Sequence, residues 1–121
     1  AEIAPPIPMR KVAELPLIIP CRPHPLRMMV ETRLANMGLK PKIVLEIDAV
    51  ATIVKLVSQG EGYAIATRHA VAISDARDHL STRRITAPHM SSVLALAMSA
   101  ERPLTTLVLR ASELLQEILR V

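Results

Sequence analysis

The chain has 121 residues, of which 50% are hydrophobic, 21% charged and 1% aromatic, and its formal net charge is +4. This length suits one domain of ordinary size, and the apolar content excludes a chain that is mainly disordered. Three glycines and ten prolines exclude a collagen-like protein, and the single cysteine, Cys21, excludes an intramolecular disulfide framework, so a reducing compartment is expected.

The first third of the chain predicts a lead-in, a strand and a helix. Seven of the ten prolines fall within the first 25 residues, and residues 1–14 are therefore predicted to be irregular. The short apolar run Leu15 to Pro20 is typical of a buried strand. A helix is predicted to begin at Pro25 and to end at Gly38, with Arg27 and Glu31 as an ion pair on its outer side. Its apolar residues recur at helical spacing: Leu26, Met29, Val30, Leu34 and Met37.

The rest of the chain alternates between strand and helix patterns. The predicted strands are Lys42 to Ile47, Tyr63 to Thr67, Leu80 to Thr86 at a sheet edge, and Val93 to Met98. Asp48 is the predicted N-cap of a helix that ends at Gly60, and Pro103 opens a final helix. That helix carries an apolar stripe, which we expect to mediate self-association: Leu107, Ala111, Leu114, Leu115, Ile118 and Val121. The order predicts an α/β fold, a mostly parallel sheet with flanking helices.

The sequence lacks the common motifs of enzymes and cofactor-binding proteins. It contains no phosphate-binding glycine loop, no G-x-S-x-G elbow and no metal-binding histidine spacing, so we expect no catalytic residues, no metal and no cofactor. The longest uncharged stretch, Ile85 to Ala100, is too short to cross a membrane. The basic residues are scattered and Tyr63 is the only aromatic, which disfavours a nucleic-acid platform.

One set of loops points to ligand binding. The turn that contains Cys21, Arg22 and His24 follows a predicted strand and precedes a helix N-terminus, where backbone N–H groups and the helix dipole attract anions. In open α/β sheets, ligands lie outside the carboxyl ends of the strands. The same rule nominates two further pairs, Asp48 with Ala49 and Ala66 with Thr67. The plain alternatives are that these are ordinary loops and that Cys21 only fills a turn.

Longer runs of sequence resemble one protein family. IPMRKVAELPLIIPCRPHPLR resembles the segment in which LysR-type transcriptional regulators pass between the lobes of their effector-binding domain. NMGLKPKIVLEIDAVATIVKLVSQGEGYAIAT is similar to the family's next helix, strand, helix and strand. LALAMSAERPLTTLVLRASELLQEIL is similar to its returning strand and C-terminal helix. The resemblance implies one lobe of a fold like that of type 2 periplasmic binding proteins, followed by this strand and helix.

The resemblance also implies a domain organisation and a function. Residues 1–14 would form the lead-in and hinge, 15–88 lobe two, and 89–121 the returning elements of lobe one. The protein would be a cytoplasmic homo-oligomeric sensor, not an enzyme. It would bind a small effector, such as a carboxylate or another anion, and reach DNA only through an N-terminal helix-turn-helix outside this chain. The seven loop residues would line the cleft, although the family usually has Ser or Thr at Cys21 and Pro near Thr67.

Two other classes of protein stay open as alternatives. A periplasmic-type solute-binding protein shares the fold, and the absence of an export signal in this chain disfavours it. A small α/β enzyme would use Cys21 with His24 and would need a thiol with a lowered pKa.

Overall fold

The computed structural model describes residues 2–88, 90 and 93–100. Its strands are β1 (Glu2–Pro8), β2 (Pro16–Ile19), β3 (Lys42–Glu46), β4 (Ala64–Thr67), β5 (Leu80–Thr86) and β6 (Leu94–Ser99). Its helices are α1 (Met9–Val12), α2 (Pro25–Ala35), α3 (Val50–Ser58) and α4 (Arg68–Ala72), and a 3₁₀ turn spans Arg77–His79. The predicted helix from Pro103 to Val121 lies outside the described residues, so its apolar stripe stays a prediction.

The strands form two sheets that meet along β2 and β4. One sheet has the order β1-β5-β6-β4 and the other pairs β2 with β3. Tyr63, just before β4, joins them, because its N–H donates to the Pro16 carbonyl at 2.9 Å and its carbonyl accepts from the Ile18 N–H at 2.8 Å. The six strands therefore follow one another as β3-β2-β4-β6-β5-β1.

The α/β class is confirmed, but the sheet is mixed, where a mostly parallel sheet was predicted. β1 runs parallel to β5 and β2 parallel to β3, whereas β6 is antiparallel to both β4 and β5. A parallel return needs a crossover of a dozen or more residues, and Thr86 and Leu94 are too close in sequence to allow one. Because β5 lies between β1 and β6, its predicted place at a sheet edge is wrong.

The irregular lead-in predicted for residues 1–14 is also wrong over Glu2–Val12, where the structure has β1 and α1. The side chains of Ile7, Met9 and Val12 are buried in the core, which fixes this segment against the sheet. Prolines are tolerated in β1 because it is an edge strand among the described residues and needs N–H donors on one side only. The hinge role of this segment and the predicted lobe boundaries stay predictions.

The core lies on both faces of the sheet, as the predicted helical stripes require. Val30 and Leu34 of α2 pack with β2 and β6 on one face. The aliphatic residues of α3 pack with Val71 of α4 on the other. Gly38 and Gly60, the predicted ends of α2 and α3, have φ of +71° and +81°, so both are in the left-handed region. No helix among the described residues is long and apolar enough to cross a membrane.

Candidate functional site

Three strand ends meet at one end of the sheet. β2 is parallel to β3, and its bridge to Tyr63 sets β4 in the same direction. Their carboxyl ends therefore share one side, and each leads into a helix: α2, α3 and α4. The Cys21 N–H donates to Oδ1 of Asp48 at 3.1 Å, which ties the loop after β2 to the turn after β3. The loops after β2, β3 and β4 therefore lie on the same side of the sheet, as the strand order had led us to expect.

A cavity of about 370 Å³ lies at this end of the sheet, and we call it the cleft cavity. Its lining comes from the starts of α2, α3 and β6 and the carboxyl end of β4: His24, Pro25, Leu26, Met29, Val50, Ala66, Thr67 and Leu94. Three of the predicted site residues, His24, Ala66 and Thr67, are in this lining. The other four, Cys21, Arg22, Asp48 and Ala49, are in the two loops beside it.

His24 caps α2 with its own side chain. Its Nδ1 accepts a hydrogen bond from the Leu26 N–H at 3.1 Å, so in the neutral ring the proton is on Nε2. Pro25, the first helical residue, has no N–H to offer. The first donor of α2 is thus used within the protein, and Nε2 is the ring atom left to bond a ligand in the cavity.

Asp48 was predicted to cap α3, and this prediction is wrong. The N-cap is Ala49, and no side chain caps this helix within the described structure. The carboxylate instead accepts from the Cys21 N–H, which takes its oxygen away from the first turn of α3. Val50 in that first turn lines the cleft cavity, so the uncapped end of α3 adjoins it.

The same carboxylate determines the chemistry of the cysteine. Hydrogen bonding to Asp48 raises the pKa of the Cys21 thiol, and burial and the negative charges of Asp48 and Glu46 raise it further. A higher pKa leaves less thiolate at neutral pH, and thiolate is the form that attacks substrates. The raised pKa therefore weighs against an enzyme built on Cys21 and His24.

The Arg22 guanidinium is turned toward α2 and pairs with Glu31. Its Nε and Nη2 lie 3.0 and 2.7 Å from the two carboxylate oxygens of Glu31, which is a bidentate pair. Arg22 is therefore bonded within the protein, and it is absent from the lining of the cleft cavity.

Arg27 is the residue that sequence reasoning misjudged. The predicted pair with Glu31 is confirmed at 2.7 Å, but the predicted outer position is wrong, because Arg27 is only 7% exposed. Its Nη1 also bonds Oε2 of Glu46 at 2.8 Å and the Pro20 carbonyl at 3.3 Å. Glu31 and then Glu46 raise the pKa of the Arg27 guanidinium, and Arg22 and then Arg27 lower the pKa of Glu31.

A comparison with protein families identifies the fold. The family model described as "LysR substrate binding domain" matches residues 1–120. The chain belongs to this family. A LysR substrate-binding domain is a regulatory ligand-binding domain and not a catalytic one. No curated protein matches the chain.

The LysR substrate-binding domain has a second, larger cavity on another part of its surface. This groove of about 1150 Å³ lies along α3 and α4 and shares only Val50 with the cleft cavity. None of the seven predicted site residues lines it. His69, Asp75 and His79 are in its lining, but the described residues hold no group of three side chains that could bind a metal ion.

Proposed function

We propose that this LysR substrate-binding domain senses a small-molecule effector in the cleft cavity. The observation that carries the proposal is the convergence of three strand ends on one cavity lined by His24, Ala66 and Thr67. Binding clefts in α/β folds lie outside the carboxyl ends of strands, and ligand pockets usually measure roughly 300–1,000 Å³. At about 370 Å³, the cleft cavity suits a compact ligand.

The lining supports an effector with an apolar body and one anionic end. Leu26, Met29 and Leu94 offer apolar surface, and His24 and Thr67 are the polar side chains of the lining. The uncapped first turn of α3 beside the cavity offers backbone donors and the positive end of a helix dipole. Because His24 already bonds the start of α2, the anion preference belongs to α3 more than to the turn at Cys21 to His24.

The regulatory context of this proposal comes from the family. We propose that the domain belongs to a cytoplasmic homo-oligomeric regulator that controls transcription when its effector binds. DNA contact would be made by a helix-turn-helix domain outside this chain. Cys21, Arg22, Asp48 and Ala49 would shape the cleft through the bonds between their loops.

A matched pair of probes tests both the site and the charge preference. Benzoate and benzyl alcohol share an aromatic body and differ in charge. Titration followed by backbone amide NMR is expected to shift Leu26, Val50 and Thr67, with tighter binding of benzoate. Val50→Phe, which fills the cavity, should abolish these shifts, and Ala51→Phe, one residue away and outside the cavity lining, should leave them intact.

Two outcomes would contradict the proposal. Shifts confined to His69 and Ile73 would assign the probe to the groove along α3 and α4. Equal affinity for the two probes would remove the anion preference and leave an apolar site.

A further inference from the structure

We infer that Arg27 is a positioning residue for the cleft cavity, acting through the loop that carries Cys21, Arg22 and His24. The inference rests on the proposed function, since it concerns the same cavity. Arg27 does not line the cavity itself. It would act by holding the segment between β2 and α2 in the geometry that presents His24 and Leu26 to a ligand.

The guanidinium of Arg27 connects three parts of the site. It bonds the Pro20 carbonyl, where the loop leaves β2, at 3.3 Å. It bonds Glu31, one turn further along α2, at 2.7 Å. It bonds Glu46, the last residue of β3, at 2.8 Å. One side chain thus joins the start of the loop, the helix that follows the loop and the neighbouring strand.

Two other polar contacts of this loop are more accessible to water. The Arg22 side chain that pairs with Glu31 is 65% exposed, and the Cys21–Asp48 bond lies at the surface. Exposed ion pairs contribute little because solvent screens them. The Arg27 side chain is 8% exposed and its bond to the Pro20 carbonyl is buried, so water competes less for that bond, while the Glu46 side chain is 51% exposed. Among the described residues, Arg27 is therefore the most buried charged side chain that bonds to this loop.

The arrangement requires arginine rather than any cation. A guanidinium is planar and carries donors that point in fixed, divergent directions, whereas a lysine ammonium is a compact point charge on a flexible stem. Lysine at this position could keep one carboxylate partner but could not reach Pro20, Glu31 and Glu46 together. The substitution Arg27→Lys therefore removes the connection while it keeps the charge.

Arg27→Lys tests the inference in the intact chain. We expect the NMR order parameters of the Cys21, Arg22 and Leu26 amides to fall from about 0.85, typical of rigid backbone, to below about 0.6. The amides of α3 should keep their values. Benzoate affinity at the cleft cavity should fall about tenfold, which corresponds to ~1.4 kcal/mol. Arg33→Lys, on the same helix, is the matched control and should change neither readout.

A second, milder variant tests the inference even if Arg27→Lys does not fold. Glu46→Gln removes the charge at the end of β3 and leaves the pair between Arg27 and Glu31. It should loosen the same loop amides to a smaller extent and weaken benzoate less than Arg27→Lys does.

The outcomes separate this inference from the proposed function. Unchanged loop amides, or an equal loss of order in α3, would overturn the positioning role, because a general packing role affects the whole fold. Loosened loop amides with unchanged benzoate affinity would also overturn it. If wild-type protein does not bind benzoate at the cavity, the failure is that of the proposed site; the loop amides then decide alone whether Arg27 holds the loop.

Discussion

At the scale of single residues, Cys21 shows how a neighbour determines reactivity. The Asp48 carboxylate raises the pKa of the thiol, so the thiolate fraction at neutral pH is small. We predict that iodoacetamide alkylates Cys21 several times more slowly than it alkylates free cysteine at neutral pH. Asp48→Asn should speed the reaction, because it removes the negative charge, and Asp75→Asn is the remote control. Alkylation faster than that of free cysteine would restore the enzyme alternative.

Glu31 gives a prediction about acid stability. The Arg22 and then the Arg27 guanidinium hold the pKa of this carboxyl below its ordinary value of 4.5. A lowered pKa in the folded state means that the stabilisation is complete above 4.5 and is lost as the pH falls through the lower, folded-state value.

Glu31→Gln should therefore lower the free energy of unfolding at neutral pH by roughly 1–2 kcal/mol. The difference from wild type should shrink as the acid range below 4.5 is crossed. Urea unfolding at a series of pH values measures both effects, with Glu61→Gln, at an exposed position, as the control. A difference that stays constant with pH would show that the ion pairs are not its source.

Arg27 also marks the limit of sequence reasoning about single residues. The spacing of Arg27 and Glu31 correctly predicts an ion pair, because it depends only on helical geometry. The second carboxylate partner of Arg27 is Glu46, which belongs to a strand 19 residues away in sequence and cannot be predicted from helical spacing. Asp48 as a partner of Cys21 was missed for the same reason, since the two residues are far apart in sequence. His24 as a cap is a local contact with Leu26, and it was missed because histidine is not among the residues preferred at an N-cap.

At the scale of secondary-structure elements, local signals predicted much of the fold. The start of α2 at Pro25 and the left-handed glycine at Gly38 follow from backbone chemistry that is visible in sequence. The direction of β6 and the strand character of β1 depend on long-range pairing with β5 instead. The proline content of β1 predicted an irregular segment, but the burial of Ile7 and Met9 stabilises this part of the chain against the sheet.

Gly62 tests how tightly β2 and β4 pack where the two sheets meet. A Cβ at this position would lie 3.0 Å from Cγ1 of Ile18 and 3.2 Å from the Pro16 carbonyl oxygen. We predict that Gly62→Ala destabilises the fold by about 1–3 kcal/mol, because the backbone of β2 would have to shift.

Gly38 provides the comparison for this prediction in urea unfolding experiments. It has open space around it and a φ of +71°, so Gly38→Ala should cost only about 1 kcal/mol, through backbone strain alone. Gly38→Asn should cost less than Gly38→Ala, since asparagine tolerates this conformation. A Gly62→Ala variant as stable as wild type would show that β2 yields easily at this contact.

At the scale of the whole molecule, the described residues form one six-stranded layer with helices on both faces. Leu94–Ser99 pairs with β4 and β5 in the centre of the layer, and the lobe to which β6 belongs stays a prediction. Its position also places Leu94 in the lining of the cleft cavity. The candidate site therefore depends on a strand that no local motif could have assigned to it.

The C-terminal stripe leads to a prediction about assembly. Residues 101–121 lie outside the described part of the chain, and the prediction rests on their sequence alone. Leu107, Leu114, Leu115, Ile118 and Val121 share one side of the predicted helix, and burying five such side chains is worth roughly 8–15 kcal/mol. An apolar patch of this size normally finds a partner. We therefore predict that the chain self-associates through this stripe.

Sedimentation of the intact chain tests the assembly prediction. The parent chain should sediment as a dimer or larger assembly, and the double variant Leu114→Glu/Ile118→Glu as a monomer. Glu113→Gln/Glu117→Gln, on the polar side of the same predicted helix, should leave the assembly intact. A monomeric parent whose tail resists proteolysis would refute self-association and favour a tail that folds back on its own chain. An assembly that survives the Leu114 and Ile118 substitutions would place the interface on another surface.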